Sequence, residues 1–278
     1  MEKKQRPADI LLLKERLLEK LPAIPKVVQE AWKLIEKGNV SPSVIGEVIG
    51  RDMTLSAKVL RLVNSPFYGF PNRIGSLKHA IVLLGLDTIK GLLISTVVFG
   101  KVTQEIKELW AHACDCATTA GIIARVLNIK EADELTVSGL LHDMGKVVIK
   151  NYFPELDAKI QKVKRRNNCT DREAEKEVLG VSHDDINGWM AEKWHFPATL
   201  KEGLIYHHQV KKAIKYPIFA AVISLADILS HIYRLKFGQC LPIVEDEVCH
   251  ILKLNPKIIT KIISEMDKSL YTFDWDEI

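Results

Sequence analysis

The chain has 278 residues, of which 47% are hydrophobic and 27% are charged. These fractions are typical of a globular protein with a sizeable core, long enough for one large domain or two modest ones. The formal net charge of +4 is too small to indicate a nucleic-acid partner by itself. The five cysteines show no framework spacing, which favours a reducing cytoplasm over a disulfide scaffold.

The sequence gives no sign of export or of a membrane span. Residues 1–6 carry charges and lack an apolar signal core. The uncharged apolar run Gly91 to Gly100 is about half of what a membrane span needs. We therefore expect a cytoplasmic protein with no membrane partner.

Apolar residues recur at intervals of three and four along almost the whole chain, which predicts an all-α fold. In the first half, Ser41 and Ser76 are candidate N-caps, as is either Asp52 or Thr54. The turn 66–71 is dense in breakers and aromatics, which favours a packed turn over an exposed partner-binding surface. The predicted helices of this half cover 9–20, 26–37, 42–50, 55–63, 79–84 and 87–99.

The second half continues in helices. The predicted helices cover 108–127, 155–166, 170–179, 183–194 and 218–233. One more helix ends at His142, another ends at 206–208, and two lie within 246–267. Cys114 and Cys116 lie two residues apart on one helix and so should face different sides. The acids of the 170–179 helix (Glu173, Glu175, Glu177) and the basic run 159–166 are expected to be mostly solvated.

The segment Gly139-Leu-Leu-His-Asp-Met-Gly-Lys146 is the most informative stretch. An imidazole beside a carboxylate suits zinc, manganese or iron, and Lys146 could hold a phosphate at the lip of such a site. Gly145 is predicted to end the helix in a left-handed C-cap. Taken alone, however, His142-Asp143 also fits a capped helix end with a solvated pair.

Three segments carry a family resemblance: 21–25 (Leu-Pro-Ala-Ile-Pro), 49–69 (with Val-Asn-Ser-Pro-Phe-Tyr-Gly) and 74–87 (Ile-Gly-Ser-Leu-Lys-His-Ala). Together they resemble the HDOD family, which is related to the HD phosphohydrolases, and the likeness runs roughly from 17 to 233. The resemblance implies an N-terminal helical subdomain, here 1–105, packed on an HD-like helical bundle with C-terminal helices, here 106–278. It also implies an output role in bacterial signalling.

The order of His and Asp residues resembles the HD superfamily pattern, with extra histidines like those of the HD-GYP branch. One ion is expected at His112, His142, Asp143 and Asp227, and a second at His183, His207 and His208, with Asp143 and Lys146 as the catalytic pair. A buried, unpaired Asp227 on an apolar helix would be costly, so a cation partner is indicated. His112 and His183 could instead be hydrogen-bonded core histidines. The remaining histidines are expected to be structural: His79, His195, His231 and His250.

Three functions remain open at this stage, and the first of them is the preferred interpretation. The first is a signalling module that acts through contacts with a protein partner, with a structural metal if any. The second is a metal-dependent phosphohydrolase acting on a nucleotide or phosphate ester, with one or two Fe, Mn or Zn ions. The HD-GYP signature is absent, because Gln209 follows the His pair and only Lys215-Tyr-Pro217 echoes it, which counts against cyclic-dinucleotide hydrolysis. Nucleic-acid binding through 159–166 is the weakest, since no recognition motif accompanies it.

Overall fold

The structure is a computed structural model, and it describes residues 7–65, 68, 70–99, 104–234 and 244–270. Within these ranges the chain is helical and has no strand, which confirms the all-α prediction. A 3-10 turn (Val210–Lys212) precedes α13. The α-helices are α1 (Pro7–Lys20), α2 (Lys26–Glu36), α3 (Pro42–Gly50), α4 (Met53–Val63), α5 (Leu77–Val98), α6 (Gln104–Val126), α7 (Ala132–Leu141), α8 (Met144–Tyr152), α9 (Pro154–Asn167), α10 (Asp171–Leu179), α11 (His183–Lys193), α12 (Ala198–Tyr206), α13 (Pro217–Arg234), α14 (Asp246–Ile251) and α15 (Pro256–Leu270).

Helix starts are fixed by side chains that accept a hydrogen bond from the first turn. Ser41 accepts from the Val44 N–H, and Ser76 accepts from the His79 N–H. Of the two candidates before α4, Asp52 is the cap, since its carboxylate accepts from the Leu55 N–H at 3.0 Å. These contacts satisfy donors that a helix end otherwise leaves unpaired.

The apolar helix α5 is broken at Gly85, whose φ of 77° lies in the left-handed region that favours glycine. The break falls between the two helices predicted for this stretch. Among the described residues, α5 is the one helix long and apolar enough to cross a membrane, but it is mostly buried inside the protein. A central core helix passes the same test, and α5 packs as one against α3, α4 and α7.

The core consists of two apolar clusters that meet at α6 and α7. The larger cluster runs from Leu17 to Leu204 and so joins both predicted domains, while the smaller one lies between α6, α13, α14 and α15. Cys114 belongs to the larger cluster and Cys116 to the smaller, so they face different sides as predicted. The division at 105/106 stays a prediction.

The step from α7 to α8 differs from the prediction for Gly145. Helix α7 ends at Leu141, Asp143 is the N-cap position of α8, and Gly145 lies inside α8 without a positive φ. The predicted C-cap was therefore wrong. Glycine is needed here because a Cβ at this position would lie 2.5 Å from the carbonyl oxygen of His183.

The structure describes only part of two predicted surface features, the turn 66–71 and the pairing of the basic run 159–166. In the turn 66–71, residues 66, 67 and 69 lie outside the described residues, whereas Tyr68 is buried and its ring stacks on Phe70 at 5.9 Å. In the basic run, Lys164 pairs with Asp171 and Arg166 pairs with Glu177, so α10 neutralises part of its charge.

Candidate metal centre

All seven predicted metal ligands lie in one cluster, although they come from separate parts of the chain. Helix α6 supplies His112, the α7–α8 junction supplies His142 and Asp143, and α13 supplies Asp227. His183 is the first residue of α11, and the pair His207 and His208 directly follows α12. Rings and carboxylates from distant segments of the chain therefore share one interior space.

The first half of the cluster surrounds Asp227 and His142. The Nε2 atom of His112 lies 3.0 Å from Oδ1 of Asp227, and the Nε2 atom of His142 lies 3.6 Å from the same oxygen. The donor atoms of His112, His142 and Asp143 all lie within 4.8 Å of one another. Atoms that bind one ion at 2.0–2.2 Å lie about 3 to 3.6 Å apart, so this spacing suits a shared cation.

The second half is built from imidazoles. The Nε2 atoms of His183 and His208 lie 3.2 Å apart, and the rings of His207 and His208 have centroids 4.1 Å apart. Donor atoms of the three histidines lie within 4.8 Å of one another. The adjacent pair reaches one cavity because it sits at a helix end, the condition expected from their 100° separation on a regular helix.

Asp143 connects the two halves. One carboxylate oxygen, Oδ2, lies 3.4 Å from Nε2 of His142, while the other, Oδ1, lies 3.3 Å from Nε2 of His183. The side chain is 2% exposed, and its two oxygens point to opposite halves of the cluster. A carboxylate in this position can bridge two ions.

Three buried donor atoms at the centre lack a hydrogen-bond partner among the described residues: His142 Nε2, Asp143 Oδ1 and His207 Nε2. An unpaired polar atom in a protein interior costs about 1–3 kcal/mol, so three together call for a common partner. Two imidazole nitrogens and a carboxylate oxygen form a donor set for a divalent transition metal. The residues present therefore fit the metal that the sequence predicted.

The two aspartates are held in their charged form. Burial alone would raise the pKa of Asp143, but the nearby His142, Lys146 and His183 hold it well below its usual range. Burial opposes ionisation of Asp227 too, yet the hydrogen bond with His112 and the nearby His142 and His231 hold the pKa of this carboxyl well below normal. Both carboxylates are thus available to offset the charge of a cation.

Several histidines are kept neutral, the form in which imidazole binds metal. Burial, together with the nearby His208, lowers the pKa of His207 well below its ordinary value. Burial also lowers the pKa of His112, and it lowers that of His208 to about 4 with a contribution from His183. Burial would also lower the pKa of His142, but Asp143 and its other neighbours outweigh burial and raise it.

Lys146 lies at the border between the cluster and solvent. Its Nζ donates to Oδ2 of Asp143 at 2.8 Å, and its pKa is raised, because Asp143 and other acids outweigh the effect of burial. A cavity of about 280 Å³ opens beside it, lined also by Glu108, His112 and Lys164. The predicted catalytic pair therefore stands where a small ligand can enter.

Comparison with known proteins decides the family. The HDOD domain family matches residues 21–210, which is more than half of the chain. The chain belongs to the HDOD domain family. The resemblance noted in the sequence is thereby confirmed, and the all-helical fold that it implied is the one observed.

Relatives of this HDOD domain are distant in sequence. An uncharacterized protein of Treponema pallidum (strain Nichols) is 28% identical over 205 residues, which cover 70% of this chain but 39% of that protein. The chain thus corresponds to less than half the length of this relative. An HDOD domain protein of unknown function from Geobacter sulfurreducens has 25% identity and a TM-score of 0.69, covering 95% of each chain. A candidate phosphohydrolase from Shewanella amazonensis SB2B, with 23% identity, a TM-score of 0.71 and 94% coverage of each chain, shares the fold.

Two side chains that were not predicted as site residues contact the proposed ligands in the structure. Glu175, predicted to be solvated, is buried and bonds His183. His231, predicted to be structural, lies 3.0 Å from Oδ1 of Asp227 and belongs to a third donor group with His112. Its position four residues after Asp227 on α13 was the available signal. The other three histidines assigned as structural lie outside the donor groups found among the described residues.

Asn187 on α11 ties the site's backbone together. Its side-chain amide donates to the carbonyls of His142 and Leu204, and its oxygen accepts from the Gly145 N–H at 2.8 Å. One buried side chain thus joins the backbones of the His142–Gly145 step and of α12 just before His207. It was not predicted, because a single Asn in a helix carries no such signal.

Proposed function

We propose that this HDOD domain is a metal-dependent phosphohydrolase acting on a phosphate ester or nucleotide. The observation that carries the proposal is the set of three buried donor atoms that have no hydrogen-bond partner in the described part of the chain, in a cluster with ionised Asp143 and Asp227 and with neutral imidazoles. The candidate phosphohydrolase from Shewanella amazonensis supports the same assignment through its name and shared fold.

In this proposal, His112, His142, Asp143 and Asp227 hold one ion, and His183, His207 and His208 hold a second that shares Asp143. A divalent ion, when bound, lowers the pKa of water toward neutrality and offsets charge on phosphate oxygens. Fe, Mn and Zn all accept nitrogen and carboxylate donors of this kind. Asp227 and Asp143 offset the positive charge that such ions bring into a buried site.

Lys146 is proposed to orient the phosphate. Its ammonium now donates to Asp143, and a phosphate oxygen in the adjacent cavity would take over that hydrogen bond. Because Lys146 keeps its proton at neutral pH, it would act as a point charge rather than as a base. Exclusion of bulk water follows from the burial of the cluster, since His142 and His207 are fully buried.

A regulatory module that acts through a protein partner is the second candidate. HDOD membership supports it, and so does Gln209, which stands where the HD-GYP pattern has an acid and is bonded to Asp184 at 3.1 Å. In this alternative the metal would be structural. The longer Treponema relative supports the idea that such a domain works inside a larger protein.

The two candidates are separated by a hydrolysis assay. The metal-loaded chain is offered bis(p-nitrophenyl) phosphate and a nucleotide panel with Mn²⁺ or Fe²⁺. We expect turnover that Asp143→Asn lowers by more than the roughly 100-fold typical of losing an outer partner of a ligand. The matched control is Asp157→Asn, which removes an acid of the same cavity that pairs with Lys150. A metal-loaded protein without turnover on the whole panel would contradict the hydrolase and favour the regulatory module.

A further inference from the structure

Helix α10 supplies none of the proposed ligands, yet it contacts one of them directly. Its Glu175 is 2% exposed and points at the start of α11. The Oε2 atom of Glu175 accepts from the backbone N–H of His183 at 2.8 Å and from ring atom Nδ1 of His183 at 2.7 Å. One buried carboxylate oxygen therefore holds both the backbone and the side chain of this histidine.

This contact decides which nitrogen of His183 faces the cluster. Since Glu175 accepts from Nδ1, the other ring nitrogen, Nε2, is the one left to bind a metal. Nε2 lies 3.3 Å from Oδ1 of Asp143, an atom with no hydrogen-bond partner among the described residues. A metal ion bound to both atoms would satisfy them together.

His208 meets the same nitrogen from the other side. Its Nε2 lies 3.2 Å from Nε2 of His183, so one hydrogen lies between the two nitrogens in the metal-free protein. A metal ion that binds both nitrogens would replace this hydrogen, which then moves to Nδ1 of His208 or leaves the site.

We propose that Glu175 is a positioning residue that fixes the metal-binding tautomer of His183, so that α10 sets the affinity of the site's second half. The proposal rests on the proposed metal site, but not on hydrolysis. It concerns the ion held by His183, His207 and His208, whereas the ion held by His112, His142 and Asp227 has no contact with Glu175 among those described.

A second side chain of α10 acts on the next residue of α11. The guanidinium of Arg172 donates from two nitrogens to the carboxylate of Asp184, with distances of 3.2 Å. Asp184 is 1% exposed and also accepts from the side-chain amide of Gln209 at 3.1 Å. Glu175 and Arg172 thus bind the consecutive residues His183 and Asp184 of α11. Asp184 in turn binds Gln209, which directly follows His208.

Metal titration of the full chain tests the proposal. The chelator-treated protein is titrated with Co²⁺, and each ion's affinity is followed through Co²⁺ absorption. We expect Glu175→Ala to weaken the second-half ion by about 10- to 100-fold, with a smaller loss in Glu175→Gln, while the first-half ion keeps its affinity. The matched control is Glu177→Gln on the same helix, an exposed acid paired with Arg166, which should leave both affinities unchanged.

A second measurement excludes a purely structural role. In the metal-free protein, nitrogen NMR should show His183 as the Nδ1–H tautomer in the wild type and as the Nε2–H tautomer or a mixture in Glu175→Ala. Unchanged affinities, equal loss of both ions, or an unchanged tautomer in Glu175→Ala would each overturn the proposal. A wild type that binds two Co²⁺ ions but hydrolyses nothing would overturn the hydrolase alone, whereas one that binds no Co²⁺ would overturn both.

Discussion

At the scale of single residues, the cluster keeps its carboxylates ionised and several of its imidazoles neutral. Asp143 is ionised because its positive neighbours outweigh its burial, and His207 stays neutral with an Nε2 that has no partner among the described residues. The unpaired imidazole nitrogen costs free energy in the metal-free protein, and both states are those that a metal ligand requires. The site is therefore arranged for binding at the expense of the stability of the metal-free form.

The first prediction concerns the pH dependence of the metal-free protein. In the unfolded chain every histidine takes up a proton near pH 6.5, but folded His207, His208 and His112 have lowered pKa values, about 4 for His208. The unfolded state thus binds more protons between pH 6.5 and 4, so stability must fall as the pH falls through this window. The slope is up to about 1.4 kcal/mol per pH unit for each such histidine.

The raised pKa values of His142 and His231 do not reverse the fall in stability toward low pH. Both are already protonated in the folded state throughout the window, so their contribution stays constant below pH 6.5. Urea unfolding of chelated protein at several pH values measures the slope. His208→Gln should flatten it, and His79→Gln, which changes an exposed histidine, should leave it unchanged. Stability that is flat or rises toward pH 4 would contradict the electrostatic account.

Individual residues of the site were predictable to different degrees. His142 and Asp143 stand out because a ligand pair adjacent in sequence needs no knowledge of the fold. Glu175 does not, because Glu173, Glu175 and Glu177 look alike until the packing of α10 on α9 shows which one turns inward. His231 was missed although it lies four residues after Asp227, because that spacing alone does not show that its side chain turns toward the carboxylate.

At the scale of elements, the break between α7 and α8 allows both His142 and Asp143 to face the cluster. Neighbouring residues of one continuous helix would point about 100° apart. Here α7 ends at Leu141 and α8 starts at Met144, and Asn187 of α11 bonds to both sides of the break. The close approach of α8 and α11 that Gly145 permits keeps this arrangement in place.

The second prediction follows from that approach. Gly145→Ala would place a Cβ 2.5 Å from the carbonyl oxygen of His183 and 3.0 Å from Oδ1 of Asn187, so the helices must move apart. We expect a loss of about 1–3 kcal/mol in unfolding free energy and weaker metal binding, measured by urea unfolding and titration. Gly50→Ala, at a helical position with open space, is the control and should be neutral or slightly stabilising. A stable Gly145→Ala variant with normal metal affinity would show that the contact is unimportant.

Most helix boundaries could be predicted because their signals are local. Ser41, Asp52 and Ser76 cap within their own first turn, so the sequence contains both partners of each hydrogen bond. Gly145 was misassigned for the opposite reason. A glycine required by a left-handed φ and one required by a neighbouring helix look identical until the neighbour is known.

At the scale of the whole molecule, the two predicted domains pack against each other next to α11 and α12, which carry ligands of the proposed site. Lys90 of α5 is nearly buried, donates to the carbonyl oxygen of His195 at 2.8 Å and lies 4.7 Å from the centre of the Trp32 ring. It therefore connects α2 and α5 with the chain between α11 and α12. The larger apolar cluster spans the same boundary, so the two parts are expected to unfold together.

The third prediction tests this connection by calorimetry. The wild type should unfold in one transition, and Lys90→Met should lower the unfolding free energy by about 1–3 kcal/mol, because the His195 carbonyl loses a buried donor. The control is Lys78→Met, which changes an exposed lysine of the same helix and should have little effect. Two separate transitions in the wild type would show that the predicted domains are independent.

The most direct test of the central claim is anomalous X-ray scattering from crystals grown with Zn²⁺ or Mn²⁺. We predict an anomalous peak about 2.0–2.2 Å from the Asp143 carboxylate and from Nε2 of His142 or His183. Crystals that show no such peak, or show one only at the protein surface, would contradict it.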